Sequence, residues 1–210
     1  MQGANPEALL KPYGVSRESL GWLQAYVALL ENWQRRINLI GPSTTGAIWT
    51  RHILDAVQLL PLIPPGTKAI ADLGAGAGIP GLILAIAGGY EAHLYESNGK
   101  KAAFLGEAIR KTACTAVVHP VRIETLANGR DLPDVQVVVA RALAPLDQLL
   151  GHAAAFLDRG AIGLFHKGQD IDAELTKATK SWKINYTKHP SVTDSGGVIL
   201  EVKEAIRVAG

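Results

Sequence analysis

The sequence is poor in cysteine, with Cys114 the only one among 210 residues. A single cysteine excludes an internal disulfide bond and a zinc cluster built on cysteine, and it fits a reducing compartment. The chain also lacks an uninterrupted apolar run of about 18 residues, which a membrane-spanning helix requires. Its first seven residues lack the basic and then apolar pattern of a secretion signal. We therefore expect a cytoplasmic protein with no membrane segment and no metal site.

Neither sign of charge dominates, because 21 Lys and Arg residues stand against 19 Asp and Glu residues, for a net charge of +2. This balance permits a nucleic-acid partner but does not by itself indicate one. Basic residues are in slight excess over residues 1–130 and not over residues 131–210. A surface that binds a polyanion is therefore expected in the N-terminal two-thirds.

Residues 1–66 predict a helical extension. Ser16 is the expected N-cap of a first helix, and Gly41-Pro42 is expected to end it. A second helix is predicted over about residues 46–60, with Ile48, His52 and Asp55 near one face. The first helix is predicted from apolar residues that recur at spacings of three and four: Trp22, Tyr26, Leu29, Leu30, Trp33 and Ile37.

Residues 67–210 show a different sequence pattern, in which short β-branched or apolar runs alternate with helical segments. Strands are predicted at 69–73, 92–95, 116–119, 135–140 and 161–165, and helices at 80–87, 100–111 and 146–157. This alternation indicates a parallel sheet with right-handed crossovers. Segments 182–189 and 198–204 flank a Gly-containing turn and predict an antiparallel hairpin. The expected fold is α/β, a Rossmann-like class I methyltransferase core behind the helical extension, together forming one structural unit.

A glycine-rich turn follows the first predicted strand. The segment from Gly76 to Gly81 satisfies GxGxxG, the pattern of dinucleotide-binding loops. Asp72 lies at the strand end, however, and a carboxylate there repels a diphosphate and attracts a cation. S-adenosylmethionine carries a positive sulfonium and a positive ammonium. We therefore interpret the turn as its binding site, in which Gly74, Gly76 and Gly78 let the backbone approach the ligand without a Cβ clash.

Glu96 ends the second predicted strand and is placed to accept both ribose hydroxyls of a nucleoside. The same position serves NAD, so Glu96 alone does not discriminate between the two cofactors. A glycine turn can also be a plain connection, and an acid at a strand end can be a solvated cap. The combination of Asp72, the glycines and Glu96 favours a cofactor site.

The target atom is constrained by motifs that the sequence lacks. Cys114 has no Pro-Cys context, so it is interpreted as a small buried residue rather than the nucleophile that methylation of a pyrimidine C5 requires. The segment after the fourth strand, Ala140 to Pro145, lacks the Asn/Asp-Pro-Pro-aromatic signature of amine methylation. Guanine N7 fits better, because it has a free lone pair and needs no general base. Arg141 follows the fourth predicted strand and Lys167 occupies the equivalent edge of the fifth, so they are the candidates for positioning the reactants.

Several motifs resemble, in order, the bacterial small-subunit ribosomal RNA guanine-N7 methyltransferases, also called glucose-inhibited division protein B. The resemblance runs from about residue 20 to residue 200. It implies that Gly74 and Ile79 line the S-adenosylmethionine pocket, that Ile123 and Glu124 lie beside the adenine, and that Arg141 contacts the cofactor near the transfer site. Its partner would be 16S ribosomal RNA or the small-subunit particle. The motifs are Trp33 with Asn38-Leu39, Arg51-His52-Ile53-Leu54-Asp55, Asp72 to Gly81, Glu96-Ser97, Lys100-Lys101, Phe104-Leu105, Arg122 with Glu124, Arg141-Ala142 and Lys167-Gly168.

Six polar residues are candidates for contacts with RNA: Arg35, Arg36, Arg51, His52, Lys100 and Lys101. The arginines fit a phosphate-binding edge but also an ordinary solvated helix face. His52 either contacts the RNA or fixes the extension against the core. Lys100 and Lys101 begin a helix, where the helix dipole disfavours cations, and this cost favours a role near the cofactor or the RNA.

Three functions stay open at this point. The first is methylation of guanine N7 in small-subunit ribosomal RNA. The second is methylation of a small molecule or protein on the same fold, because a fold does not set its substrate. The third is an NAD(P)-dependent oxidoreductase or dinucleotide sensor.

Overall fold

A computed structural model of the chain describes residues 5–128 and 132–208. Its seven strands are β1 (Ala69–Leu73), β2 (Glu91–Tyr95), β3 (Ala116–His119), β4 (Val137–Arg141), β5 (Ile162–Lys167), β6 (Trp182–Pro190) and β7 (Val198–Arg207). The α-helices are α1 (Pro6–Leu10), α2 (Arg17–Gln34), α3 (Asp55–Val57), α4 (Gly81–Gly88), α5 (Gly99–Thr112), α6 (Leu146–Leu157) and α7 (Ile171–Ala178). Among the described residues, no helix is long and apolar enough to cross a membrane.

The seven strands form one sheet in the order β3-β2-β1-β4-β5-β7-β6. Strands β1 to β5 are parallel, and β7 is antiparallel to both β5 and β6. The prediction of a mostly parallel Rossmann-like sheet with a C-terminal antiparallel hairpin is therefore confirmed. The strand order reverses between β1 and β4, and ligands of open α/β sheets bind outside the carboxyl ends of the strands at such a point. The candidate residues at the ends of β1, β2, β4 and β5 share that edge.

The first long helix begins where the sequence predicts and ends earlier. The Ser16 side chain accepts a hydrogen bond from the Ser19 amide (3.0 Å), which caps α2. Helix α2 ends at Gln34, and the side-chain oxygen of Gln34 accepts hydrogen bonds from the amides of Leu39 (2.8 Å) and Ile40 (3.0 Å). These bonds fold the chain back before Gly41, the residue predicted to end the helix.

The predicted second helix, 46–60, is a run of irregular helical turns. A 3-10 helix (Pro42–Ala47) leads into a π-helix (Trp49–Leu54) and then into α3. Ile48, His52 and Asp55, predicted near one face, are all buried, but burial also includes Ile53 and Leu54 and is not confined to that face. The physical reason is that the segment contacts the sheet edge and the β6–β7 turn as well as the rest of the extension.

The two faces of the sheet carry two hydrophobic clusters. The extension belongs to the first, because Leu23, Tyr26 and Leu30 of α2 pack in one cluster with Leu82 of α4 and Phe104 of α5. The second cluster lies under α6 and α7. Helix α7 was not among the helices predicted from the sequence. Trp22, one of the apolar residues that predict the first helix, is 38% exposed. Helix α2 therefore reaches the glycine turn from the same side as α4 and α5.

Candidate functional site

The glycine turn leaves β1 under the loop that follows β4. Gly74, Gly76 and Gly78 have φ angles of +71°, +58° and +82°, a region that L side chains rarely adopt. A Cβ on Gly74 would lie 2.6 Å from Cδ1 of Leu143, so the loop after β4 packs directly on the turn. A Cβ on Gly76 would meet no atom closer than the Gly74 carbonyl oxygen at 3.8 Å. The turn is therefore open beside Gly76, where a ligand can approach the backbone.

Gly78 gives the neighbouring helices room to pack. A Cβ there would lie 2.6 Å from the Leu82 Cβ and 3.0 Å from Leu105 Cδ2. The missing side chain of Gly78 thus lets α4 and α5 pack against the turn, and the predicted contact of Gly78 with the cofactor stays a prediction. Ile79, which the family resemblance places at the cofactor pocket, is 8% exposed at the start of this packed region.

Asp72 is fully buried behind the turn rather than open to the ligand. Its Oδ2 accepts a hydrogen bond from the Gly81 amide (2.8 Å), and Oδ1 has no hydrogen-bond partner among the described residues. Burial raises the pKa of the Asp72 carboxyl to about 7, and the nearby Glu96 carboxylate adds to the rise. The predicted attraction for a cation can therefore act only through space, and only in the ionised form.

Glu96 holds the backbone on both sides of the cofactor edge. Its Oε2 accepts a hydrogen bond from the Gly76 amide (2.9 Å), and its Oε1 accepts one from the Asn98 amide (2.7 Å). A carboxylate has about four lone-pair positions, so two of them stay available for ribose hydroxyls. Ile123 and Glu124 follow the end of β3, the strand paired with β2, in a 3-10 helix (Ile123–Asn128). The three residues assigned to the adenosine part thus follow neighbouring strands.

Tyr26 is a site residue that the sequence identifies only as part of the apolar stripe of the first helix. Its hydroxyl donates a hydrogen bond to the Ala77 carbonyl of the glycine turn (2.6 Å). The residue is fully buried, and burial raises its pKa well above the usual range. Helical spacing predicted that Tyr26 would face inward, but no sequence signal indicated that it would reach the turn. The extension therefore holds the cofactor turn in place.

Arg141 is held by the segment that contains Arg51 to Asp55. Its Nε lies 3.1 Å from Asp55 Oδ2, its NH1 lies 3.0 Å from His52 Nδ1, and its NH2 donates to the Arg51 carbonyl (3.0 Å). A guanidinium has no acceptor, so Nδ1 of His52 accepts and its Nε2 donates to Thr44 Oγ1 (2.7 Å). Burial, with Arg141 nearby, lowers the pKa of His52 to about 4. His52 is therefore neutral near pH 7 and fixes Arg141.

Asp55 joins four parts of the chain. Its Oδ1 accepts hydrogen bonds from Gln58 Nε2 (2.8 Å) and from the Thr193 hydroxyl in the β6–β7 turn. Its Oδ2 faces Arg141 and lies 3.6 Å from Nε2 of His166, the residue of β5 paired with Arg141. The position of Asp55 within a family motif was noted in the sequence, but His166 and Thr193 were missed because nothing local marks them.

Lys167 anchors a loop and is 7% exposed in its side chain. Its Nζ lies 2.5 Å from Glu174 Oε2 and donates to the Ala144 carbonyl (3.1 Å). Glu174 also accepts from the Leu146 amide (2.6 Å), so the pair fixes the start of α6. Lys167 therefore positions the loop that carries Leu143 over Gly74, and its predicted role in positioning the reactants stays a prediction.

The candidate RNA contacts divide by exposure. His52 is only 4% exposed, so its assignment as an RNA contact is corrected to the second alternative, fixing the extension against the core. Arg35, Arg36 and Lys100 are exposed, and Lys101 is half-buried. Trp33 near the end of α2 stacks edge-on against Phe104 of α5, whereas Trp22 and Ala113 line one groove. The two helices are thus antiparallel, and the end of α2 points towards the start of α5.

Arg51 stands on the other side of the strand ends. Its NH1 donates to the Thr193 carbonyl (2.9 Å), and its NH2 lies 3.6 Å from Asp194 Oδ2. A cavity of about 230 Å³ opens here, lined by residues that include Arg51, Asp55, Arg141, His166, Lys167 and Asp194. We call it the strand-end cavity. Within the described ranges 5–128 and 132–208, no group of three or more His, Cys, Asp or Glu residues is arranged to hold a metal ion.

The comparisons with known proteins agree with this geometry. A fibrillarin/Nop5p complex has a chain with a TM-score of 0.55 at 14% identity, covering 70% of this chain and 80% of that one. An rRNA methylase from Streptococcus thermophilus gives a TM-score of 0.51 at 12% identity, covering 70% and 92%. These similarities show the fold. The architecture is that of a Rossmann-like methyltransferase.

The sequence matches the rRNA small subunit methyltransferase G family over residues 20–202. A ribosomal RNA small subunit methyltransferase G from Paramagnetospirillum magneticum is 49% identical over 203 residues, which cover 96% of this chain and 97% of that protein. The chain belongs to the rRNA small subunit methyltransferase G family. The hypothesis of an NAD(P)-dependent oxidoreductase is therefore rejected, and the protein is a methyltransferase that uses S-adenosylmethionine.

Proposed function

We propose that this protein transfers the methyl group of S-adenosylmethionine to N7 of a guanine in 16S ribosomal RNA of the small ribosomal subunit. The observation that carries the proposal is the family match over residues 20–202, which spans every element that builds the strand-end site. The N7 position follows from the family resemblance and from the absence of a cysteine nucleophile at the site. Cys114 lies far from the site, in the connection between α5 and β3.

The residues around the glycine turn fit the cofactor. The turn is open beside Gly76, Glu96 keeps lone pairs for ribose hydroxyls, and the ionised form of Asp72 favours positive charge nearby. When bound, S-adenosylmethionine supplies a methyl group on a positively charged sulfur atom. Tyr26 and Glu96 each hold the turn by a hydrogen bond, so its backbone is positioned before a ligand binds. Such preorganisation lowers the cost of binding.

The chain's own residues contribute alignment and electrostatics rather than proton transfer. Guanine N7 has no proton to lose, so its lone pair forms the new bond to carbon while the electron pair of the breaking carbon–sulfur bond stays on sulfur. The positive charge moves to the guanine ring. Arg141 is fixed by three contacts and can orient a reactant without moving, which is the kind of alignment that accelerates a two-body reaction.

The RNA is proposed to cross the carboxyl edge of the sheet. Arg35, Arg36, Lys100 and Lys101 are placed for phosphate contacts on one side of the cofactor turn, and Arg51 lies on the other. Phosphate contacts position a nucleic acid without reading its sequence. Whether the substrate is free 16S RNA or the small-subunit particle is decided by assay, and the proposed setting is the cytoplasm.

The test uses ribosomal RNA from a strain that lacks the gene. Purified protein, labelled S-adenosylmethionine and either 16S RNA or small-subunit particles are incubated, and the digested nucleosides are separated. We expect one 7-methylguanosine per 16S RNA and none in RNA from the parent strain, where the site is already modified. Label in a different nucleoside, or label only in small molecules or protein, would contradict the proposal and favour the second function considered above.

A further inference from the structure

The strand-end cavity has a size and position that suit one extruded base. Its volume of about 230 Å³ lies below the range of about 300–1,000 Å³ that is typical for small-molecule sites, so it does not suit a whole cofactor. Arg141 and Ala142 at the end of β4 line one side of it. The next residue, Leu143, packs on Gly74, so this side adjoins the cofactor turn. Enzymes that modify a base take it out of the stack into such a pocket.

The cavity walls are built before any ligand arrives. Asp55 ties the extension to Arg141 of β4 and to Thr193 of the β6–β7 turn, with His166 of β5 beside it. In the turn itself, the Asp194 carbonyl accepts a hydrogen bond from the Gly197 amide (3.0 Å), and Oδ1 of Asp194 accepts one from the Gly196 amide (3.1 Å). A turn with these internal bonds presents its side chains from a fixed backbone.

Arg51 and Asp194 are the charged pair of the cavity that keeps capacity for a ligand. Their side chains are 42% and 52% exposed, and 3.6 Å separates Arg51 NH2 from Asp194 Oδ2. Asp55 and Arg141, in contrast, are largely buried and engaged with each other. The pair offers a carboxylate acceptor beside guanidinium donors. Asp194 lies in the β6–β7 turn, and β5 separates β7 from β4 in the sheet.

That arrangement is complementary to guanine. The Watson–Crick edge of guanine presents two adjacent donors, N1–H and N2–H₂, beside the acceptor O6, whereas adenine presents an acceptor N1 beside a donor N6. Guanine N7 lies on the opposite edge of the purine, so a base whose donors face Asp194 turns N7 towards the β4 side. The geometry fits the reaction at N7.

We infer that the strand-end cavity binds the target guanine, with Asp194 accepting from N1–H and N2–H₂ and Arg51 donating to O6. The inference rests on the proposed function and adds the residues that select the base. Asp194 also places negative charge near the ring that becomes positive on methylation. Arg51, a candidate for RNA contact in the sequence, thus reads the base.

The test compares guanine with inosine, which lacks the N2 amine, at the target position of the RNA substrate. We expect the wild type to prefer guanine by about 10- to 100-fold in kcat/KM, the range for a hydrogen bond to a charged group. The Asp194→Asn protein should lose about the same factor in kcat/KM on the guanine substrate. Its kcat/KM should change little when the guanine is replaced by inosine. Arg51→Met should lower kcat/KM for both substrates by the same factor and keep the preference for guanine, since both bases carry O6.

The controls separate base reading from folding. Asn retains an Oδ1 acceptor for the Gly196 amide, so the turn should be kept and the affinity for S-adenosylmethionine should stay at the wild-type value. Asp172→Asn, at an exposed aspartate paired with Lys188, should match the wild type on both substrates. An Asp194→Asn protein that keeps the full preference for guanine would overturn this inference alone. A wild-type protein that methylates no guanine N7 would instead overturn the proposed function.

Discussion

Arg141 and Asp55 form an ion pair that joins the end of β4 to the helical extension, with 3.1 Å between Nε and Oδ2. The side chains are 22% and 11% exposed, so water screens the pair weakly. The same guanidinium reaches His52 and the Arg51 carbonyl, so one arginine organises the whole Arg51–Asp55 motif. The extension is therefore part of the site and not a separate attachment.

Asp55→Asn removes the charge of this pair. Breaking a buried ion pair leaves an uncompensated charge and costs about 3–5 kcal/mol, so we expect the free energy of unfolding to fall by about 3 kcal/mol. Methyl transfer should fall by about 10-fold or more, because Arg141 loses its orientation. Urea unfolding and steady-state kinetics measure the two effects. Glu7→Gln, which removes the exposed pair with Arg17, should change neither, and an equal effect of both variants would contradict the role of Asp55.

Tyr26→Phe removes the hydroxyl that binds the Ala77 carbonyl. A buried carbonyl without its partner costs about 1–3 kcal/mol, and the freed turn should bind S-adenosylmethionine about 5- to 10-fold more weakly. The KM for RNA should not change, since Tyr26 lies on the cofactor side. Calorimetry and thermal unfolding check this, with the exposed Tyr186→Phe as the control. Loss of stability with full cofactor affinity would show that Tyr26 only supports the core.

Asp72→Asn tests the charge behind the glycine turn. The folded pKa of about 7 lies above the ordinary 3.8, so the neutral carboxyl stabilises the fold at low pH and this contribution is lost as pH rises through about 7. Ionisation over the same range should raise the affinity for S-adenosylmethionine by about 5- to 10-fold, and less for S-adenosylhomocysteine, which lacks the sulfonium. The Asn variant keeps the acceptor for the Gly81 amide and should show a flat profile. Calorimetry across this pH range measures the affinity for S-adenosylmethionine. If the Asn variant kept the pH dependence of the wild type, Asp72 would not be the group responsible.

His52→Gln tests the neutral histidine that fixes Arg141. The unfolded state takes up a proton near pH 6.5, whereas the folded state resists it down to about pH 4, so stability should fall as the pH is lowered between these values. The variant should lose part of this slope, which urea unfolding across the window measures. His152→Gln on α6 replaces a histidine outside the Arg141 network and should keep the slope. A slope equal to the wild type in the His52 variant would contradict the assignment.

The sequence by itself determined the sheet and the cofactor edge. Alternating β-branched and helical segments predicted β1 and β3 with their observed bounds and the other parallel strands within two residues at each end, because local pattern and fold agree there. Gly74 and Gly76 adopt the positive φ angles that glycine, which has no Cβ, tolerates without strain. The ordered motifs by themselves carry the resemblance to the family to which the chain belongs.

Only the tertiary structure decided which residues meet. His52 and Arg141 are 89 positions apart, and Asp55 and Thr193 are 138 apart, so no local pattern connects either pair. In the folded chain Asp72 and His52 are buried, and a Cβ on Gly78 would point towards Leu82. Part of the helix predicted over residues 46–60 is a π-helix. Burial and partnership are properties of packed elements, and packing depends on contacts between segments that the sequence holds far apart.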